Sequence, residues 1–164
     1  MSFFKQNTFH VHLSDNLYNS HSYSHERSLE LYAAFRLLTD DPAVAGLNRR
    51  PNESYTREVF DDVQTKCAAR GVTILPELES PGHALVITQW KPELGLPSDL
   101  SLLNITHPDT IPTMKSIWQT FLPWFHSKIV SIGADEYQDN SLSQGYVRLM
   151  IDDPNVAIKV KSVR

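Results

Sequence analysis

The stretch Val72-Thr-Ile-Leu-Pro-Glu-Leu-Glu-Ser-Pro-Gly-His83 decides the fold, because it predicts a strand that ends in a compact polar turn. Residues 72–78 are apolar and begin with β-branched side chains, which is typical of a strand buried on both faces in a parallel sheet. Pro76 counts against a central place in that sheet, since it cannot donate a ladder hydrogen bond. We place Pro76 near the C-terminal end of the strand, followed by a tight turn over 80–83.

The segments on either side predict strands alternating with helices. Residues 7–13 alternate apolar and polar side chains and predict a strand, and 128–134 predict another. A helix capped by Thr56 and ended before Gly71 has the expected inward face Val59, Phe60, Val63 and Cys67. A second helix is expected over 111–122, burying Met114, Ile117, Trp118 and Phe121. The pattern over 29–38 fits either a helix or a partly extended chain.

This order of elements predicts an α/β fold with a parallel sheet and right-handed crossovers. Polar clusters directly follow three of the predicted strands: Ser14-Asp15, Glu79 to His83, and Asp135-Glu136. Functional residues of parallel α/β folds lie at that end of the strands. We therefore expect these clusters to share one site.

Composition excludes several classes of protein. The chain has 164 residues, enough for one ordinary domain, with 41% hydrophobic and 21% charged residues as in globular proteins. A net charge of −4 without a Lys/Arg cluster argues against a nucleic-acid partner, and no apolar run is long enough to predict a membrane span. Residues 1–12 do not resemble a secretory signal. The single cysteine, Cys67, excludes an internal disulfide and lies on the predicted apolar side of a helix.

The adjacent acids Asp135 and Glu136 are the sharpest chemical feature. Successive side chains of an extended segment point in opposite directions, so the two carboxyl groups diverge and can address two different atoms of one substrate. Gly133 and Ala134 leave room beside them. A solvated acidic turn is the alternative interpretation, and it stays open at this point.

Histidines are the other candidates. His83 could bridge carboxylates from its turn, or merely bond to its own loop; Asp15 could take part in the site or only cap a turn. His10 and His12 share one face of a strand, a spacing that suits a metal ion. Further ligands would have to come from His83, Asp135 or Glu79, so we instead expect the two rings to be packed and hydrogen-bonded. No Gly-rich nucleotide loop or Gly-x-Ser-x-Gly elbow is present.

Three motifs together resemble glycoside hydrolase family 20, in its order and approximate spacing. They are Asn7-Thr-Phe-His-Val-His-Leu-Ser-Asp15, Pro76-Glu-Leu-Glu-Ser-Pro-Gly-His83 and Ile132-Gly-Ala-Asp-Glu136. Tyr55-Thr56 opening a helix that ends in Ala68-Ala-Arg-Gly71 is also similar to the family, and Phe121-Leu-Pro-Trp-Phe-His126 to its fungal members.

The resemblance implies a (β/α)8 TIM barrel and a β-N-acetylhexosaminidase acting on N-acetylhexosamine-containing glycosides or oligosaccharides. The implied mechanism is substrate-assisted and retaining, with no metal or other cofactor. Glu136 would be the general acid and base, and Asp135 would hold the acetamido nitrogen. His83 and Asp15 would form a relay that orients Glu136.

Two departures from the family qualify this expectation. Ala134 replaces the second glycine of the usual Gly-Gly pair before the acids. The motifs also predict only a partial barrel, from roughly the first helix to the fourth strand over 1–140, with a divergent tail over 141–164. We therefore expect the isolated chain to be weakly active or inactive. The alternatives are a non-catalytic sugar-binding or interaction fragment that self-associates through exposed sheet edges, and a metal-dependent barrel hydrolase using His10 and His12. The compartment stays open, since complete members are commonly secreted or lysosomal.

Overall fold

A computed structural model of the chain describes residues 1–16, 23–134 and 137. In chain order its helices are α1 (His25–Glu30), α2 (Arg57–Ala68), α3 (Leu85–Trp90) and α4 (Thr110–Phe121). Its strands are β1 (Thr8–Ser14), β2 (Thr73–Leu78), β3 (Gly95–Leu96) and β4 (Asp99–Leu103). β1 and β2 pair in parallel, whereas β3 and β4 form an antiparallel hairpin. None of the helices among these residues is long and apolar enough to cross a membrane.

The two faces of the β1–β2 pair differ in chemistry. Because side chains alternate along a strand, Leu13, Ile74 and Leu78 enter the apolar core, where all three are buried. His10 and His12 lie on the opposite face. The register places His12 beside Glu77, so a carboxylate joins the two imidazoles on this face.

Helix α2 confirms the expected cap and termination. The Thr56 side chain accepts a hydrogen bond from the Val59 N–H, and Gly71 has a φ of 71°, the left-handed conformation that favours glycine after a helix. The predicted inward position of Val59 is wrong, since this side chain is 48% exposed. The inward position of Phe60 is confirmed, Val63 and Cys67 pack partly buried against the core, and the other fully buried residue of α2 is Gln64, which was not predicted.

A buried amide explains why glutamine occupies a core position. Gln64 donates through Nε2 to the carbonyl of Trp124 (2.9 Å), and its Oε1 accepts from the N–H of His126 (2.9 Å). Both ends of the side chain are therefore satisfied, as a buried polar group requires. Gln64 joins α2 to the segment that follows α4.

Helix α1 includes residues 29 and 30, but residues 31–38 are not helical, so the prediction of one helix over 29–38 is wrong. The N–H of Arg36 bonds to the carbonyl of Leu13 (2.8 Å), and the N–H of Leu38 bonds to the carbonyl of Tyr55 (2.8 Å). The backbone of this segment is therefore paired with β1 and with Tyr55, which precedes the N-cap residue of α2. Helix α4 confirms the prediction for 111–122, with Met114, Ile117, Trp118 and Phe121 all buried.

Pro76 is the fourth of the six residues of β2, two residues before its C-terminal end, and β2 has a neighbour on both sides. The N–H of Ser131 donates to the Pro76 carbonyl (2.9 Å), and the Ser131 carbonyl accepts from the N–H of Leu78 (3.2 Å). On the other side of β2, toward β1, the N–H of Thr73 donates to the carbonyl of Asn7. Since alternate residues of a strand bond to opposite sides, the missing N–H of Pro76 faces the Ser131 segment. Pairing there consists of an isolated bridge at Ser131 and a hydrogen bond from the Ser80 N–H to the Ile132 carbonyl (3.0 Å), and no regular strand is seen over 128–134.

Replacing Gln64 with alanine should lower the free energy of unfolding by about 2 kcal/mol or more, because a buried carbonyl at Trp124 loses its donor. Urea denaturation monitored by circular dichroism measures this loss. Gln119→Ala is the matched control, since Gln119 is exposed on α4 and its removal should change stability by less than about 0.5 kcal/mol. Equal effects of the two substitutions would contradict the assigned role of the buried amide.

Candidate active site

The candidate site lies where β1, β2 and the Ser131 segment end. All three run in parallel, as the Glu77–Ser131 bridge and the β1–β2 register show. The residues that follow them therefore meet at one edge of the sheet. Asp15, the 79–83 loop and the Gly133-Ala134 turn all lie at this edge.

Asp15 and His83 form a close pair across this edge. His83 Nδ1 lies 2.6 Å from Asp15 Oδ1. An ionised carboxylate can only accept, so Nδ1 carries the proton and Nε2 becomes the second functional position of the ring. The loop is held to β1 by a hydrogen bond from Asn16 N–H to the His83 carbonyl (2.8 Å), with His83 at a left-handed φ of 50°.

Asp135 and Glu136 lie outside the described residues, but the turn that precedes them is described. Gly133 and Ala134 both adopt left-handed conformations, with φ values of 67° and 63°. The N–H of Ala134 donates to Glu79 Oε1 (2.8 Å), and the N–H of Gly133 donates to Ser131 Oγ (3.2 Å). The chain entering the acid pair is therefore held from two sides.

Glu79 is a site residue whose role the sequence analysis missed. Its side chain is buried at the end of β2, and its N–H bonds to the hydroxyl (3.0 Å) and the carbonyl (3.3 Å) of Ser14. It thereby connects β1, β2 and the turn before the acid pair. The sequence placed Glu79 in the polar cluster after a predicted strand and among possible metal ligands, but its contact with the turn before the acid pair could not be read from spacing along the chain.

Glu77 is the second residue that was missed. Its carboxylate is buried, with Oε2 2.9 Å from His10 Nε2 and 2.5 Å from Ser131 Oγ, and Oε1 2.7 Å from His12 Nδ1. His12 Nδ1 also lies 2.9 Å from Asp15 Oδ2. His10 makes the expected hydrogen bond with Glu77, and His12 lies close to two carboxylates, but the rings are not packed away, since their side chains are 39% and 48% exposed.

A family model of the glycosyl hydrolase family 20 catalytic domain matches residues 1–157. The chain belongs to this family. Among curated relatives, a beta-hexosaminidase of Vibrio furnissii is 26% identical over 153 residues, covering 85% of this chain and 25% of that protein. A lacto-N-biosidase of Bifidobacterium bifidum is 29% identical over 100 residues, covering 58% of this chain and 9% of that protein.

Solved structures of the family show the fold. A beta-N-acetylhexosaminidase from Bacteroides fragilis matches with a TM-score of 0.62 at 23% identity, over 84% of this chain and 27% of that one. An exo beta-N-acetylglucosaminidase from Vibrio harveyi in complex with N-acetylglucosamine matches with 0.63 at 20% identity, over 96% and 27%. The fold is thus of the TIM-barrel type. The chain spans about a quarter of the length of these structures, and its described residues form an α/β unit without a closed barrel.

Gly133→Ala should destabilise the protein more than Gly71→Ala. Both glycines have a positive φ, which costs an L-residue about 1–2 kcal/mol. A Cβ at Gly133 would in addition lie 1.8 to 2.0 Å from atoms of the Glu79 carboxyl group, whereas at Gly71 it would meet nothing within 4 Å.

Thermal unfolding of the two variants compares them directly, and the excess loss in Gly133→Ala measures the contact with Glu79. Equal losses would show that Glu79 does not confine this turn.

Proposed function

We propose that this chain is catalytic-domain sequence of a β-N-acetylhexosaminidase, which releases terminal N-acetylglucosamine or N-acetylgalactosamine from glycosides and oligosaccharides. The observation that carries the proposal is the Asp15–His83 pair, set at the same sheet edge as the Glu79-held turn that precedes Asp135 and Glu136 in the sequence. Family membership supports the same chemistry. Residues 1–140 would form the partial barrel, from about its first helix to its fourth strand, and 141–164 a divergent tail.

In the proposed reaction, the oxygen of the substrate's own 2-acetamido group attacks the anomeric carbon. An oxazolinium ion forms as the glycosidic bond breaks, and Glu136 protonates the leaving oxygen. Glu136, now a carboxylate, removes a proton from water, which opens the oxazolinium ion with overall retention. Asp135 accepts a hydrogen bond from the acetamido N–H and stabilises the positive charge that develops there.

The Asp15–His83 pair would serve Glu136. Asp15 holds the proton on His83 Nδ1, which fixes the ring's orientation and leaves Nε2 to address the carboxyl group of Glu136. A neutral Nε2 accepts from the protonated acid, and a protonated Nε2 donates to the carboxylate. The same imidazole can therefore orient Glu136 in both of its states.

Glu136→Gln should reduce hydrolysis of an aryl N-acetyl-β-glucosaminide by at least about 100-fold, because an amide cannot supply the proton. Since the chain spans a quarter of its relatives, the test uses a chimera in which it replaces the matched 153-residue segment of the Vibrio furnissii beta-hexosaminidase. Lys128→Gln, a change at an exposed residue before the site, is the control and should keep the chimera's rate. An active chimera with undiminished turnover in Glu136→Gln would refute the assignment.

The isolated chain should show negligible hydrolysis of the same substrate, because it spans about a quarter of the length of its relatives and part of the sugar-binding wall implied by the family would lie in other strands. The matched measurement compares the isolated chain with its own Glu136→Gln variant. Turnover by the isolated chain that this substitution abolishes would overturn the expectation of inactivity while supporting the assigned chemistry.

A further inference from the structure

Three side chains on the polar face of β1 and β2 converge in a way the proposed reaction does not use. His10 and His12 are two residues apart on β1 and so point to the same side, and the parallel register brings Glu77 of β2 beside His12. The possible ligand atoms of all three lie within 4.8 Å of one another. The register thus supplies the carboxylate that the His-Val-His spacing alone lacked.

The contacts are arranged as a ligand set. His10 presents Nε2 to one oxygen of Glu77 (2.9 Å), and His12 presents Nδ1 to the other (2.7 Å). Two imidazole nitrogens and one carboxylate are ligands that zinc takes at about 2.0–2.2 Å, with a further position left for water. Half-exposed histidine rings also leave the ion a path from solvent.

The Glu77 carboxylate is incompletely satisfied by protein groups. Its side chain is 4% exposed, and among the described residues Oε1 has no hydrogen-bond partner of acceptable geometry. His12 Nδ1 is close to that oxygen, but it is not aligned as a donor must be. Proximity without this alignment makes at most a weak hydrogen bond. A buried carboxylate in this state gains from a cation, which needs no donor direction.

A supporting contact orients the carboxylate. Ser131 Oγ donates to Glu77 Oε2 (2.5 Å), which fixes the plane of the carboxyl group from the side opposite β1. Hydrogen bonds of this kind to a ligating carboxylate typically contribute about 10- to 100-fold to metal affinity.

We propose that His10 Nε2, His12 Nδ1 and Glu77 form a binding site for a divalent transition-metal ion such as zinc on the polar face of β1 and β2. The ion would tie the two strands together. The site does not depend on the proposed hydrolase function, because none of its three ligands is assigned a part in that reaction.

Isothermal titration of the purified, chelator-treated chain with zinc chloride tests the site. The wild-type chain should bind one ion, and His12→Ala and Glu77→Gln should each weaken binding by at least about tenfold. His126→Ala is the matched control, since His126 contacts only one carboxylate among the described residues, that of Asp61 (2.7 Å), and such a pair offers too few ligands for a metal ion. Its affinity should equal that of the wild type.

Ser131→Ala keeps all three ligands and guards against variants that fail to fold; it should weaken zinc binding by about tenfold. In wild-type protein, nitrogen NMR of the imidazoles should show zinc-induced shifts at Nε2 of His10 and Nδ1 of His12. Absence of stoichiometric binding, equal affinity in His12→Ala, or a shift confined to other histidines would overturn the proposal. These outcomes leave the test on Glu136 unaffected.

Discussion

The parallel pairing of β1 with β2 is the constraint on which the rest of the structure depends. Its register sets His12 beside Glu77, and it brings the carboxyl ends of the two strands to one edge. A slip of one residue would exchange the faces of a strand, exposing Leu13 or Ile74 and burying the histidines. The apolar core under one face therefore enforces the polar cluster on the other. The 2.6 Å contact between Asp15 and His83 follows from the same alignment, although 68 residues separate them.

Glu79 carries this order from the strands to the chain that enters the acid pair. A buried carboxylate is costly unless it is hydrogen-bonded, and Glu79 accepts from the N–H of Ala134. That N–H is accessible only because the turn at Gly133 and Ala134 is left-handed, and the carboxyl group leaves no space for a side chain at Gly133. Ala134 tolerates the same backbone region at some conformational cost, where the family pattern has glycine. The same interaction thus ties the end of β2 to the turn that precedes the candidate acids in the sequence.

Local patterns were enough to predict β1, α2 and α4, because each buries residues at a regular spacing that the sequence displays. Predictions that depended on distant partners were weaker. The burial of Gln64 on α2 could not be predicted from the helix alone. The groups that satisfy its amide, at Trp124 and His126, lie about 60 residues away in the sequence. Pro76 tolerates a central strand because its missing N–H faces only the short Ser131 bridge.

The candidate site shows the same division between local and distant information. Asp15 and His83 could be selected from their places after strands, and the structure brings them together. The contribution of Glu77 depends on strand register, and that of Glu79 on the path of residues 131–134. Neither can be read from spacing along the chain. The acid pair itself lies outside the described residues, so its roles remain proposals.

One nitrogen links the two polar clusters. His12 Nδ1 lies 2.7 Å from Glu77 and 2.9 Å from Asp15, so it stands between the strand-joining cluster and the Asp15–His83 pair. A single N–H cannot direct its proton fully at both carboxylates. If a cation occupies the site with His10 and Glu77, His12 Nδ1 becomes a ligand and cannot also carry a proton toward Asp15. Asp15 would then accept from His83 alone, which strengthens the Asp15–His83 hydrogen bond that orients the His83 ring. Occupancy of the face between β1 and β2 would in this way tighten the candidate catalytic edge without touching substrate.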